Sequence, residues 1–293
     1  MPIQGLEILQ SSASLPGQPS ALRRTPWVSK YIDTSTCIGC KACEVACQEW
    51  NDLPSVPTQQ TGTYQTLPSL HAQYWNLIRF DETEVNGNFA LLLRKEQCMH
   101  CGDPGCLRAC PAPGAIVQYS NGIVDVNPEK CIGCRLCETG CPFDVPRFSE
   151  QTGKMSKCTL CVDRTTLGLE PACVKACPTG CLHYGTKEDM VALGNHRVAQ
   201  LKANGFANAG IYDPKGVGGT NVVTVLKYAD KPELYGLPAD PTVPATVRIS
   251  KKPVRWIGLI AFGATLDGLV GHYLRYGPRT GGPRSPPPPE RPS

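Results

Sequence analysis

The chain has 293 residues, 41% of them hydrophobic but only 7% aromatic, with 29 glycines, 28 prolines, 17 cysteines and a formal net charge of +4. That length accommodates one large or two small domains and exceeds the secreted disulfide scaffolds, which usually stay below about 100 residues. So loop-rich and aromatic-poor a composition excludes a fold resting on a large aromatic core, and points to inorganic cores replacing part of the apolar one.

Residues 1–30 show no periodicity and are expected to form an extension that wraps or stays mobile. Arg23-Arg24 resembles a twin-arginine start, but TPWVSK follows with no apolar run, so no signal peptide is expected, nor a C-terminal lipidation box.

From 31 to 185 the pattern predicts an α+β region in which short strands flank cysteine loops. The strands expected are Val28–Ile32, Tyr74–Phe80, Phe89–Arg94, Ile116–Tyr119, Ile123–Val126 and Leu182–Tyr184. Asn86-Gly87 and Asn121-Gly122 are hairpin signals between two pairs of them. Sixteen cysteines form four runs in this region: Cys37, Cys40, Cys43, Cys47; Cys98, Cys101, Cys106, Cys110; Cys131, Cys134, Cys137, Cys141; and Cys158, Cys161, Cys173, Cys177. The first and third read C-x2-C-x2-C-x3-C, the spacing that holds [4Fe–4S] clusters in bacterial ferredoxins. Disulfides are a poor account of such crowded thiols. Structural zinc is a closer rival, but zinc ribbons separate two C-x2-C pairs by about 15–20 residues, whereas three of these runs add a third and fourth cysteine at once.

In two-cluster ferredoxins the first three cysteines of a run bind one cluster and the fourth binds the other. The short gap between the second and third runs makes them one inner module, 75–148; the first and fourth then form an outer module, 31–50 with 150–185. The expected ligand sets are Cys37, Cys40, Cys43, Cys177; Cys158, Cys161, Cys173, Cys47; Cys98, Cys101, Cys106, Cys141; and Cys131, Cys134, Cys137, Cys110. Four clusters with their thiolates bring roughly −8 in total, which turns +4 into a net negative charge and removes a nucleic-acid reading.

Gly39 and Gly133 sit inside ligand loops where positive φ is expected. Pro111, Pro142 and Pro178 follow the fourth cysteine of three runs; Gln48 replaces proline in the first, where a helix is expected to continue. Lys41, Arg135, Lys157, Arg164 and Lys175 lie in or beside the runs, where they either offset cluster charge or are ordinary surface charges. Cys181 is read as a small buried thiol and His100 as a loop residue.

Residues 186–250 predict a small α/β addition: a helix over 186–205 with Thr186 and Asp189 as a capping pair, then strands Ala209–Tyr212 and Val222–Leu226 around a GVGG turn. Over 254–276 a transmembrane helix is expected, flanked by Trp256, Tyr273 and Tyr276, with Asp267 against it because a central charge costs about 2.5–3.5 kcal/mol. The rival is a helix buried against a soluble partner. His272 is read as an interfacial histidine, near a haem or quinone site in the alternative. Residues 277–293 form a proline-rich tail expected to be disordered.

With IDTSTCIGCKACEVACQEWND, CMHCGDPGCLRACPAPGAI, CIGCRLCETGCPFDVPR, KCTLCVDRTTLGLEPACVKACPTGC and GLVGHYLRYGP in hand, the chain from Tyr31 to Pro278 resembles the iron–sulfur (beta) subunits of membrane-bound respiratory formate dehydrogenases. The resemblance implies a relay of four [4Fe–4S] clusters with no catalytic site of its own. It would pass electrons from a formate-oxidising molybdenum or tungsten alpha subunit to a cytochrome b gamma subunit and quinone. It also implies a place in the inner membrane as a single-pass subunit, with the iron–sulfur domain periplasmic. Related four-cluster subunits serve hydrogenases and dimethyl sulfoxide or polysulfide reductases, and that alternative stays open here, as does a zinc-stabilised binding module.

Overall fold

The computed structural model describes residues 6–13, 26–250 and 253–277, with side chains from 248 to 257 left aside. Arg23-Arg24 and the proline-rich tail beyond residue 277 lie outside them. In chain order come β1 (Ile8–Ser11), β2 (Val28–Asp33), α1 (Ala42–Trp50), β3 (Asn76–Val85), β4 (Asn88–Gln97), α2 (Gly105–Ala109), β5 (Ile116–Tyr119) and β6 (Val124–Val126). Then follow α3 (Leu136–Thr139), β7 (Arg147–Ser149), β8 (Lys154–Ser156), α4 (Val162–Thr165), α5 (Ala172–Lys175) and β9 (Leu182–Thr186). The C-terminal part adds α6 (Lys187–Ala203), β10 (Gly210–Tyr212), β11 (Val222–Leu226), α7 (Ala245–Ser250) and α8 (Pro253–Tyr276).

The elements around the cysteines are too short to stand alone. Isolated helices below about 12 residues are marginal in water, and α2, α3, α4 and α5 have only five, four, four and four. Side-chain contacts around the thiols must hold them. The longest ladder is the β3–β4 hairpin, paired from Asn76↔Gln97 to Val85↔Asn88. Asn86 and Gly87 both lie at positive φ, as a two-residue hairpin turn whose twist matches its strands requires. At the second hairpin signal only Gly122 lies at positive φ, and the loop is longer, with Asn121 Oδ1 accepting from the Ile123 N–H.

Two parts of the topology go beyond what the sequence expectation specified. Part of the N-terminal extension is a strand: β1 pairs antiparallel with β5, completing a sheet of order β1-β5-β6. The α/β addition after residue 186 joins the cysteine-bearing region through β11, which pairs parallel with β2 in a sheet of order β10-β11-β2-β9. Helix α6 packs on that sheet, and Arg197 reaches back to the buried Asp33 carboxylate at 2.9 Å. Thr186 caps α6 through its Oγ1, which accepts from the Asp189 N–H at 3.1 Å. The GVGG segment is a turn with Gly218 and Gly219 at positive φ, and it also clamps the second cysteine run. Gly102 N–H donates to Gly219 O at 2.8 Å and Asp103 N–H to Val217 O at 2.7 Å.

Helix α8, in a separate unit from residue 248 onward, forms over the span the sequence indicated. The membrane reading of it needs correction: among the described residues no helix is long and apolar enough to cross a membrane. Gly258, Gly263, Gly268 and Gly271 contribute little apolar surface to α8, while Asp267 and His272 subtract from it.

Helices α2 and α3 approach so closely that a Cβ on Gly105 would overlap the Gly140 carbonyl oxygen. Because these helices bear Cys106 and Cys137, Gly105→Ala is expected to cost about 1–3 kcal/mol by overpacking and to lower iron content. A denaturation midpoint and iron content equal to the parent's would contradict this.

Candidate metal centres

All four C-x-x-C loops share one backbone solution. Gly39 and Gly133, third in the first and third loops, sit at φ +68° and +69°. The same place in the other two loops is taken by His100 and Leu160, at φ 45° and 56° despite their side chains. In the first and third loops the next helix starts from Lys41 and Arg135, also left-handed. The turn aims backbone N–H groups inward: those of His100 and Leu160 donate to Cys98 Sγ at 3.5 Å and Cys158 Sγ at 3.4 Å. The third cysteine of each run then sits on a helix, in α1, α2, α3 and α5, and its fourth follows that helix. Helix α1 is the exception, running on through Cys47 and Gln48 to Trp50.

Twelve of the sixteen thiols line three cavities. Cys37, Cys40, Cys43 and Cys177 line one cavity; Cys98, Cys101, Cys106 and Cys141 line a second; Cys110, Cys131, Cys134 and Cys137 line a third. Of the remaining four, Cys158, Cys161 and Cys173 lie about Lys30. Its Nζ lies 3.2 Å from Cys173 Sγ and in the field of Cys158 and Cys161, whose charges also act on Cys47. Each set therefore joins distant parts of the chain, Cys37 with Cys177 and Cys98 with Cys141 among them.

These are cavities rather than points. Four thiolates on one zinc ion would lie about 3.8 Å apart, given Zn–S bonds of about 2.3 Å. Among the described residues no group of three or more His, Cys, Asp or Glu closes to the spacing of a single ion. An all-thiol donor set around a cavity fits an iron–sulfur cube, and so does an unanswered polar atom on one wall. Lys95, lining the first cavity, is 3% exposed and its Nζ has no hydrogen-bond partner among the described residues.

Burial and neighbouring thiolates push the thiols up: Cys43 and Cys161 to about 11, Cys47 and Cys137 to about 12. Cys37, Cys173 and Cys177 go the other way: the Cys181 thiol bonded to Cys37 brings it down to about 6, and Lys30 and Lys95 beside Cys173 outweigh its burial. Of the basic residues noted in the sequence, Lys157 and Arg164 are buried, whereas Arg135 and Lys175 are exposed. Arg164 stacks over the Trp50 ring at 4.1 Å and donates to Glu170 O. Lys30 and Lys95 gave no sequence signal, since they lie on β2 and β4 away from the motifs.

His100 lies in the loop between Cys98 and Cys101, as the sequence suggested. It is fully buried, its Nδ1 accepts from the Val124 N–H at 3.1 Å, and burial together with Lys157 holds it neutral. Cys181 is buried, as a small thiol was expected to be, but it lies on the wall of the first cavity, 3.4 Å from Cys177 Sγ.

The sets follow one another in a row. Cys43 of the first feels the charge of Cys173 in the second, Cys98 of the third feels Cys158 of the second, and Cys106 of the third feels Cys137 of the fourth. Helix α1 packs on α5 at one junction and α2 on α3 at another. At the two ends Cys40 and Cys134 are exposed, each beside an exposed isoleucine, Ile38 at 62% and Ile132 at 65%.

Residues 36–115 and 89–187 each match a 4Fe–4S dicluster domain. Fold and site together define an electron-transfer protein of ferredoxin-like modules that binds four [4Fe–4S] clusters. The sequence is 54% identical over 252 residues, 86% of either protein, to the iron–sulfur subunit of the nitrate-inducible formate dehydrogenase of Escherichia coli K12. It is 50% identical over 281 residues, 95% of this protein and 94% of the other, to the iron–sulfur subunit of that organism's formate dehydrogenase-O. It therefore belongs to the family of formate dehydrogenase iron–sulfur subunits. Likeness to the B subunit of the anaerobic dimethyl sulfoxide reductase of Haemophilus influenzae is weaker, 36% over 160 residues, 55% of this protein and 74% of the other.

Proposed function

We propose that the protein relays electrons from a formate-oxidising alpha subunit, carrying molybdenum or tungsten on a pterin cofactor, to a cytochrome b gamma subunit that reduces quinone. One observation supports this above the rest: four thiol sets in a row, with an exposed cysteine loop at either end. Cys37, Cys40, Cys43 and Cys177 hold the first cluster and Cys158, Cys161, Cys173 and Cys47 the second. Cys98, Cys101, Cys106 and Cys141 hold the third, and Cys131, Cys134, Cys137 and Cys110 the fourth. Each cluster, when bound, takes up and releases one electron without moving a proton or an atom. The protein's part is to fix the spacing, exclude water and set the local charge. It performs no substrate chemistry.

In this reading the two exposed loops are ports. Ile38 beside Cys40 and Ile132 beside Cys134 would be covered by the partners, which brings each outermost thiol set to the edge of the next carrier. The cytochrome partner supplies attachment to the inner membrane, with the iron–sulfur domain on its periplasmic side.

The native complex solubilised from membranes in detergent and captured through this protein is expected to contain a pterin-type formate-oxidising subunit and a cytochrome b. Capture of a dimethyl sulfoxide, polysulfide or hydrogen-processing subunit instead would overturn the formate assignment and leave the relay role standing.

A further inference from the structure

Three lysines are buried among the thiol sets: Lys30 at 1% exposure, Lys95 at 3% and Lys157 at 3%. Two of them have neutral acceptors to hand. Lys30 Nζ donates to Gln97 Oε1 at 2.8 Å, and Lys157 Nζ to the Cys158 carbonyl at 3.0 Å. Lys95 differs. It extends from β4 into the wall of the first cavity, and its Nζ finds no acceptor among the described residues. An ammonium taken from water without a partner costs several kcal/mol, so a residue so placed marks a wall built to face negative charge. Its field reaches Cys37 and Cys43 of the first set and Cys47 and Cys173 of the second. Lys95 therefore sits where two thiol sets share one cation.

We propose that Lys95 sets the reduction potentials of the clusters held by the first and second thiol sets, its charge favouring the added electron and its unanswered N–H groups turned toward the sulfur of the first. The inference rests on the relay reading above. The redox step is the gain of one electron by a cluster from the neighbouring carrier; no bond forms or breaks, and the protein contributes a fixed positive charge in a site that excludes water. Lys95 is thus a positioning residue for charge, acting at the junction between two sites rather than at either exposed end.

The test is an EPR-monitored redox titration of the full-length, iron-loaded protein with Lys95→Met, Lys95→Gln and Lys95→Arg. In K95M, iron and sulfide are expected to match the parent while two of four cluster signals move to more negative potential and two stay. At a fixed ambient potential the ratio of reduced to oxidised cluster at the two affected sites should fall about tenfold, equivalent to about 59 mV for one electron. K95R, which keeps the charge, should return both signals toward the parent. Unmoved potentials with full iron content would overturn the proposal, as would equal displacement of all four signals. So would K95R behaving like K95M. Loss of a cluster in both K95M and K95Q would make the lysine an assembly element and equally defeat a potential-setting role. A parent protein without iron would instead sink the relay reading itself.

Discussion

Cys134→Ala is expected to abolish electron flow from formate to quinone in the assembled complex while leaving formate-to-viologen activity largely intact. Cys134 belongs to the thiol set at one end of the row, and its side chain is exposed. Truncating an exposed side chain removes little packing, so the loss will reflect the cluster and not a collapsed fold. The remaining thiols, Cys110, Cys131 and Cys137, are buried and stay in place. They can retain a cluster altered at one iron or none, and iron analysis of the variant distinguishes these. Viologen takes electrons upstream of the break, at the formate-oxidising partner, and quinone takes them beyond it. Cys181→Ala is the matched control: it removes a buried thiol from the wall of the first cavity but from none of the four sets. It should keep the parent's iron and its quinone reduction. Equal loss of both activities in the Cys134 variant, with the complex intact, would contradict a pure relay role.

What the sequence made legible was local chemistry. Cysteines three or four residues apart must share a loop or helical turn, so the four runs, the positive φ of Gly39 and Gly133 and the Asn86-Gly87 turn could all be read directly. The pairing of Cys37 with Cys177, 140 positions on, came from a rule about runs, not from any local pattern. Residues whose role depends on what strands bring beside them stayed hidden. Lys30 lies in a strand paired on both sides, and Lys95 in a hairpin whose expected end was Arg94. His100 and Leu160 adopt a backbone conformation that nothing in their side chains announces. Their loops must therefore be shaped by surroundings such as the Gly218–Gly219 turn bonded to the segment after Cys101. Helix α8 shows the opposite failure: its extent was readable, but its aromatic flanks gave the membrane reading more weight than its glycines, Asp267 and His272 support.

Stripping the iron is expected to unfold the cysteine-bearing region, not to leave an empty but native fold. Ligand thiols are part of the apolar cores themselves: Cys106, Cys110, Cys131 and Cys137 pack with Leu107, Ile116 and Met155 in one of them. Without metal the buried Cys106 and Cys137 hold their protons at neutral pH, since burial raises both, Cys137 to about 12. Lys95, which has no acceptor among the described residues, then loses the anionic cluster that answers it. A stranded ammonium costs several kcal/mol, against a total stability of about 5–15 kcal/mol for a typical domain, so even one such charge weighs heavily on the outcome. The sign of the pH effect follows. The iron-free protein binds the protons and the loaded protein does not, so loading releases them, and each pH unit of acidification weakens it by about 1.4 kcal/mol per proton released. That dependence holds from pH 8 down to 5, because thiols freed in an unfolded chain titrate at about 8.5 and are protonated below it. Circular dichroism melts should show a cooperative transition for the loaded protein and none of comparable amplitude after oxidative iron removal with a chelator. Iron release at fixed chelator should quicken as pH falls from 8 to 5. An iron-free protein melting at the parent's temperature would show that the polypeptide holds itself together, and the clusters would then be passengers in the fold.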